Sequence, residues 1–358
     1  MPEKVLVTRE IPSAGLRPLE GFDVTVLSKA PPGRDELLEA ARGAEGVLST
    51  VTEKIDGEFM DAAGDGLKVV ANMAVGYDNV DVEAANERGI VVTNTPGVLD
   101  ETTADVAFLL LLAAARRLGE SERVLRAGKW EWWGPKLFMG PDVWGKKLGI
   151  VGLGRIGQAV ARRAKGFDME ILYHNRSRKE YAEEELGASY LDLDGLLETA
   201  DFVSIHTPLT NETYHLIGAP ELEKMKPEAV LVNTSRGPVV DEAALADALA
   251  EERIFAAGLD VYEEEPKVNP KLLQLENVVL APHIGSGSIE TRDKMATLAA
   301  QNLAMVLGLQ GKFAEAERLI REDMPPEAAG PHIAWLHAAA AGKGGRSWEA
   351  VKGASQTN

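Results

Sequence analysis

Short apolar runs alternate with stretches of helical periodicity through most of the chain. KVLVT (4–8), DVTVL (23–27), GVLS (46–49), LKVVANM (67–73) and residues 90–93 predict strands. Residues 37–42 and 82–88 predict helices, the second followed by Gly89, a usual residue just past a helix C-terminus. Strands alternating with helices at this pitch predict βαβ units and a parallel sheet, so residues 1–97 read as a small α/β domain. Asn94-Thr95-Pro96-Gly97 breaks the pattern and marks the passage into a second domain. Residues 100–117 then predict a long helix that is apolar nearly all round, hence buried between domains or subunits. The alternation resumes with strands at 148–152, 169–173, 202–206, 229–233, 256–260 and 278–281, and a helix at 242–251. A helix at 291–307 returns to the first domain across a boundary at 283–288. Beyond Gly311 the character changes: an amphipathic helix at 313–321, Pro325-Pro326, a second helix at 331–341 and a glycine-rich end.

The pattern is most specific at KKLGIVGLGRIGQAVARRAKGF (146–167). A buried strand runs into Gly152-Leu153-Gly154-Arg155-Ile156-Gly157 and then into a helix. Such a turn holds a dinucleotide: Gly152 permits the tight turn, Gly154 admits the pyrophosphate and Gly157 lets helix and strand pack closely. The helix N-terminus offers N–H groups to the phosphates. A strand ending in Asp or Glu would favour NAD, but this one ends in LYHNRSR (172–178). Asn175, Arg176, Ser177 and Arg178 stand where a carboxylate would repel a 2′-phosphate, so NADP(H) is preferred and NAD(H) is possible. The plainer reading makes both arginines solvated loop charges.

Composition narrows the function further. With 358 residues, 45% hydrophobic content and a net charge of −18, the chain expects two domains and no nucleic-acid or anionic-membrane partner. There are no cysteines, so thiol chemistry and disulfides are excluded. The N-terminus lacks the apolar run of a signal peptide, and the longest apolar run, 104–115, is too short to span a membrane; a cytoplasmic protein is expected. Residues 128–144 hold four of the six tryptophans, which suits a subunit interface or an active-site wall better than base stacking. No histidine pair has zinc-ligand spacing with a carboxylate, and His332 and His337 lie off one helical face, so no metal is expected.

Chemistry on a carbonyl needs a cation for the substrate, a proton donor and a group that orients the donor. Three strand ends supply candidates: Arg236 in VNTSRG, Glu265 in GLDVYEEEP and His283 in APHIGSGSIETR. Together with NTPGVLDETTAD, VGLGRIG and HTPLTNET, these motifs resemble the D-2-hydroxyacid dehydrogenase family, most closely its glyoxylate/hydroxypyruvate reductase branch, from Lys4 to about Gly308. The resemblance implies a Rossmann-type cofactor domain (98–285) inserted in a flavodoxin-like substrate domain (1–97 and 286–310). Both would be doubly wound parallel-sheet α/β domains, followed by a short, atypical helical extension (311–358). It makes Arg236, Glu265 and His283 the catalytic set. It gives substrate contacts to the backbone of Val75 and Gly76 and to Ser286. Thr103, Gly152 to Gly157, Asn175 to Ser177, Thr207, Pro208, Thr234 and Asp260 would contact the cofactor. It also implies a homodimer through the cofactor domain.

The mechanism expected is reduction of a small 2-keto acid held by Arg236 and the 75–76 amides. His283 gives the proton, and Glu265 orients the imidazole and favours its charged form. Other substrates of the same class, phosphoglycerate or lactate-like acids, and a corepressor-like NAD(H)-sensing role are the alternatives. GKFAEAERLIRED (311–323) resembles one helix of a tetratricopeptide-type unit, which cannot bury its face alone.

Overall fold

The computed structural model describes residues 2–28 and 30–308. The expectations for 313–321, 331–341, His332 and His337 lie outside the described residues. The chain divides into two compact units, Met1–Val98 with the stretch from Ile289 onward, and Leu99–Ser288.

The first unit is a five-stranded parallel sheet of β1 (Lys4–Val7), β2 (Asp23–Val26), β3 (Gly46–Ser49), β4 (Val69–Asn72) and β5 (Val91–Thr93), in the order β2-β1-β3-β4-β5. That order is the flavodoxin-like one. Side chains alternate across the sheet. Leu6, Val47 and Val70 join a core with Leu37 of α1 (Arg34–Ala41), Phe59 and Met60 of α2 (Gly57–Ala63) and Ala85 of α3 (Val82–Glu87).

The second unit holds α4 (Asp100–Ala115), α5 (Leu118–Arg126), α6 (Arg155–Lys165), α7 (Glu180–Leu186), α8 (Leu193–Thr199), α9 (Ala219–Lys224) and α10 (Glu242–Ala250). Its sheet runs β12-β11-β10-β9-β6-β7-β8, all parallel. The strands are β6 (Lys147–Val151), β7 (Glu170–His174), β8 (Ser189–Tyr190), β9 (Phe202–Ile205), β10 (Val230–Asn233), β11 (Ala256–Leu259) and β12 (Val278–Leu280). A sheet of this kind must be covered on both faces. One face packs on α4 and α6 through Phe108, Leu111 and Val160, the other on α8 and α10 through Leu196, Leu245 and Leu249.

One expectation needs correcting. The helix predicted over 100–117 stops at Ala115, because Arg117 takes a left-handed φ of 51° and α5 begins after it. The helix packs against β10, β11 and α6 of its own unit, and Leu109 on it is 54% exposed.

In the first unit α11 (Ile289–Gly308) completes the fold. It lies against the 3₁₀ turn Ser13–Leu19, with Ala296 at the place a side chain on Gly15 would occupy, and its Leu303 and Leu307 reach Gly46. Among the described residues no helix is long and apolar enough to cross a membrane.

Candidate active site

Strand register sets the site. His174, Val151, Ile205, Asn233, Leu259 and Leu280 are paired neighbour to neighbour across β7, β6, β9, β10, β11 and β12. They form one line at the C-terminal edge of the sheet, with about 4.8 Å between strands. Except for Thr103, on α4, every residue expected to act from this unit follows that line within a few positions, at the edge where open parallel sheets take ligands. The order reverses between β6 and β9, and the glycine turn leaves β6 at that point.

Gly152 has φ 101°, and the backbone of His206 comes within 2.7 Å of where its Cβ would be. A Cβ on Gly157 would stand 2.4 Å from the Gly152 carbonyl oxygen, so the start of α6 can sit this close only without a side chain. At Gly154 nothing lies within 4 Å of the corresponding position. The turn thus presents bare backbone outward, followed by Arg155 and Ile156 in the first turn of α6. Thr207 and Thr234, beyond the ends of β9 and β10, have buried hydroxyl oxygens with no hydrogen-bond partner. Open backbone and unsatisfied hydroxyls along one edge fit a polar, elongated ligand such as a dinucleotide. Pro208 is exposed beside them.

Past β7, Asn175 Oδ1 accepts the Leu153 N–H at 2.7 Å, which ties this loop to the glycine turn. Arg176 and Ser177 are exposed. Arg178 is committed elsewhere: it grips Glu183 through two bonds of 3.0 and 2.6 Å, and Glu183 also accepts the buried Tyr173 hydroxyl. The expectation that both arginines serve a nucleotide is therefore reduced to Arg176.

The three loops after β10, β11 and β12 are bonded to one another. Asn233 accepts from Ser235 N–H and donates to the Arg236 carbonyl at 2.9 Å, shaping the turn that carries Arg236. A Cβ on Gly237 would fall 1.9 Å from the Tyr262 carbonyl carbon, so the 236–237 backbone lies directly on the next loop. Glu265 Oε1 accepts the Tyr262 N–H at 3.0 Å, and its Oε2 stands 2.7 Å from His283 Nδ1. A carboxylate only accepts, so the shared proton sits on Nδ1, and Nε2 is the ring nitrogen that Glu265 does not engage. His283 has a left-handed φ of 54°, held by Asp260: its carbonyl takes the His283 N–H, and its carboxylate takes the N–H groups of Ile284 and Gly285, each at 2.7 Å. Burial pushes the Asp260 carboxyl up against the pull of those amides. Thr103, buried on α4, meets this turn at Gly285, and Ser286 follows half-buried.

In the first unit, the carbonyls of Ala74, Val75 and Gly76 are taken by Thr95 N–H and by the side-chain amides of Asn94 and Asn72, at 2.8 to 3.0 Å. A trans peptide is planar with C=O and N–H opposed, so the N–H groups of Val75, Gly76 and Tyr77 are turned the other way. Consecutive amides pointing outward can receive a carboxylate.

The sequence reading missed several supporting groups. Asn72, Asn94 and Asn233 sit just at or past strand ends, a position where a short amide side chain bonds nearby backbone, and this was a readable signal. His206 gave none: it is bonded to Ser204 Oγ at 2.8 Å, and burial pushes its imidazole down to about 4. Nor did spacing reveal that His215, Asp241 and Glu263 converge, with potential cation-ligand atoms within 4.8 Å of one another.

Residues 108–285 match the model of the D-isomer specific 2-hydroxyacid dehydrogenase NAD binding domain. The chain is 54% identical over 309 residues to a glyoxylate reductase of Thermococcus litoralis, covering 85% of this chain and 93% of that protein. Among solved structures, a glyoxylate reductase from Paecilomyes thermophila is 38% identical with a TM-score of 0.76, covering 84% and 94% of the two chains. An NADPH-dependent glyoxylate/hydroxypyruvate reductase from Sinorhizobium meliloti, in complex with NADP and malonate, is 40% identical with a TM-score of 0.74, covering 85% and 93%.

Proposed function

The chain belongs to the D-isomer specific 2-hydroxyacid dehydrogenase family, and on that footing we propose that it reduces glyoxylate or hydroxypyruvate to the 2-hydroxy acid, with NADPH preferred to NADH. The observation that carries this reading is the His283–Glu265 bond of 2.7 Å, set on the same sheet edge as the glycine turn and Arg236.

Gly152, Gly154, Gly157, Thr207 and Thr234 would hold the nucleotide, with Arg176 and Ser177 toward a 2′-phosphate. The reduced nicotinamide, when bound, supplies the hydride. Arg236 binds the keto acid's carboxylate and polarises its carbonyl. His283 delivers the Nε2 proton to the carbonyl oxygen. Glu265 keeps Nδ1 protonated and the ring aimed. Asp260 serves by holding the backbone on which His283 stands. In this reading residues 1–97 with 286–310 form the substrate domain, 98–285 the cofactor domain, and two copies pair through the latter.

The test is oxidation of NADPH and of NADH with glyoxylate and with hydroxypyruvate, for the parent and two variants. His283→Ala should lower kcat by about 10²–10⁴-fold. Arg236→Ala should raise KM for the keto acid and lower kcat while nucleotide affinity holds. A His283→Ala protein as fast as the parent would sink the assignment.

A further inference from the structure

Glu242, Glu263 and His215 have no part in the reaction as just described, yet they are densely bonded. Glu242, 9% exposed, opens α10. Its Oε2 accepts the Glu263 N–H at 2.8 Å and its Oε1 the Asn269 N–H at 2.7 Å. In return the Glu242 N–H donates to Glu263 Oε1 at 2.7 Å, and His215 Nε2 stands 3.0 Å from that same oxygen. Asp241 Oδ2 is 3.7 Å from His215 Nδ1, while its Oδ1 caps α10 through the Ala244 N–H. Both Glu242 oxygens, Glu263 Oε1 and Asp241 Oδ1 are engaged by amides, which makes the cluster a tie between loops.

What the tie joins is decided by chain position. Glu242 ends the loop that begins at Arg236, and Glu263 and Asn269 bracket Glu265. One buried carboxylate therefore grips both limbs of the Glu265 loop from the end of the Arg236 loop, and these loops already touch backbone to backbone at Gly237. We propose that Glu242 is a positioning residue: through residues 263–269 it sets where Glu265 meets His283, with His215 steadying Glu263. This rests on the reading given under Proposed function. Two amide donors need two acceptor oxygens, and a glutamine has one and would point its NH₂ at the other donor.

Glu242→Gln, Glu265→Gln and the double variant test this, with kcat, keto-acid KM and nucleotide Kd measured for each. Glu242→Gln should lower kcat by about tenfold and leave nucleotide Kd within about twofold, and it should cost nothing further in the Glu265→Gln background. Equal losses in both backgrounds, or a loss confined to nucleotide affinity, would overturn the proposal. If Glu242→Gln does not fold, His215→Ala removes only one donor to Glu263 and should give a smaller loss that also vanishes without Glu265. A readout that needs no turnover separates this from the reading it rests on: the His283 Nδ1–H resonance in NMR. It should move in Glu242→Gln toward its position in Glu265→Gln, even if no keto acid is reduced. A resonance unmoved by Glu242→Gln overturns the tie.

Discussion

At Gly154 the space beside the backbone is open and the φ of −83° suits any L residue, so the fold itself does not require glycine there. Gly157 differs, since its missing side chain is what lets α6 meet the turn. Gly154→Ala should therefore melt within about 0.5 kcal/mol of the parent yet bind NADPH about tenfold or more weakly. Thermal melting and nucleotide titration check this, and undiminished affinity would remove the turn from the binding site. The same contrast marks what a residue-by-residue reading can reach. Arg236, Glu265 and His283 stand out because each follows an apolar strand with a reactive side chain. Asp260 was marked too, but its bonds to Ile284 and Gly285 join positions that no spacing rule connects.

At the scale of elements, every strand but β8 was legible nearly as it occurs, because most of them are continuous apolar runs buried on both faces. The helices fared less well. α2 and α8 carry Asp56 and Asp192 as N-caps, a signal that was available and passed over. α7, EYAEEEL, has too few apolar residues to show a period. α5 buries none of its residues, and Leu118 and Leu125 on it are exposed. Beyond it Trp130, Trp132, Met139 and Trp144 are more than half exposed, and Trp133 is 77% exposed. Large apolar side chains left in solvent this close together in the chain suit an association surface. It supports the proposed pairing of two copies through this unit, and Trp133→Glu should convert a dimer to a monomer in sedimentation. A parent protein that sediments as a monomer removes the pairing.

For the molecule as a whole, acid sensitivity has a traceable source. Unfolded, the His206 imidazole titrates near its ordinary 6.5, whereas in the fold burial brings it down to about 4. Between those values the unfolded chain holds the extra proton. The contribution of this group to stability then falls as pH drops from about 6.5 to about 4, by about 3 kcal/mol, and levels off below. Asp56, which burial would raise but Arg34 and its other partners bring down to about 2, adds a loss of the same sign only at more acid pH. His206→Asn should flatten the urea midpoint between pH 4 and 6.5, and an unchanged slope would place the effect elsewhere.

The common line of strand ends has a further consequence. In the proposed reading the nucleotide turn, Arg236 and His283 hang from one rim of the seven-stranded sheet, while the strands behind it are ordinary apolar packing. Changes along that rim can therefore alter which oxo acid is accepted without touching the fabric that folds.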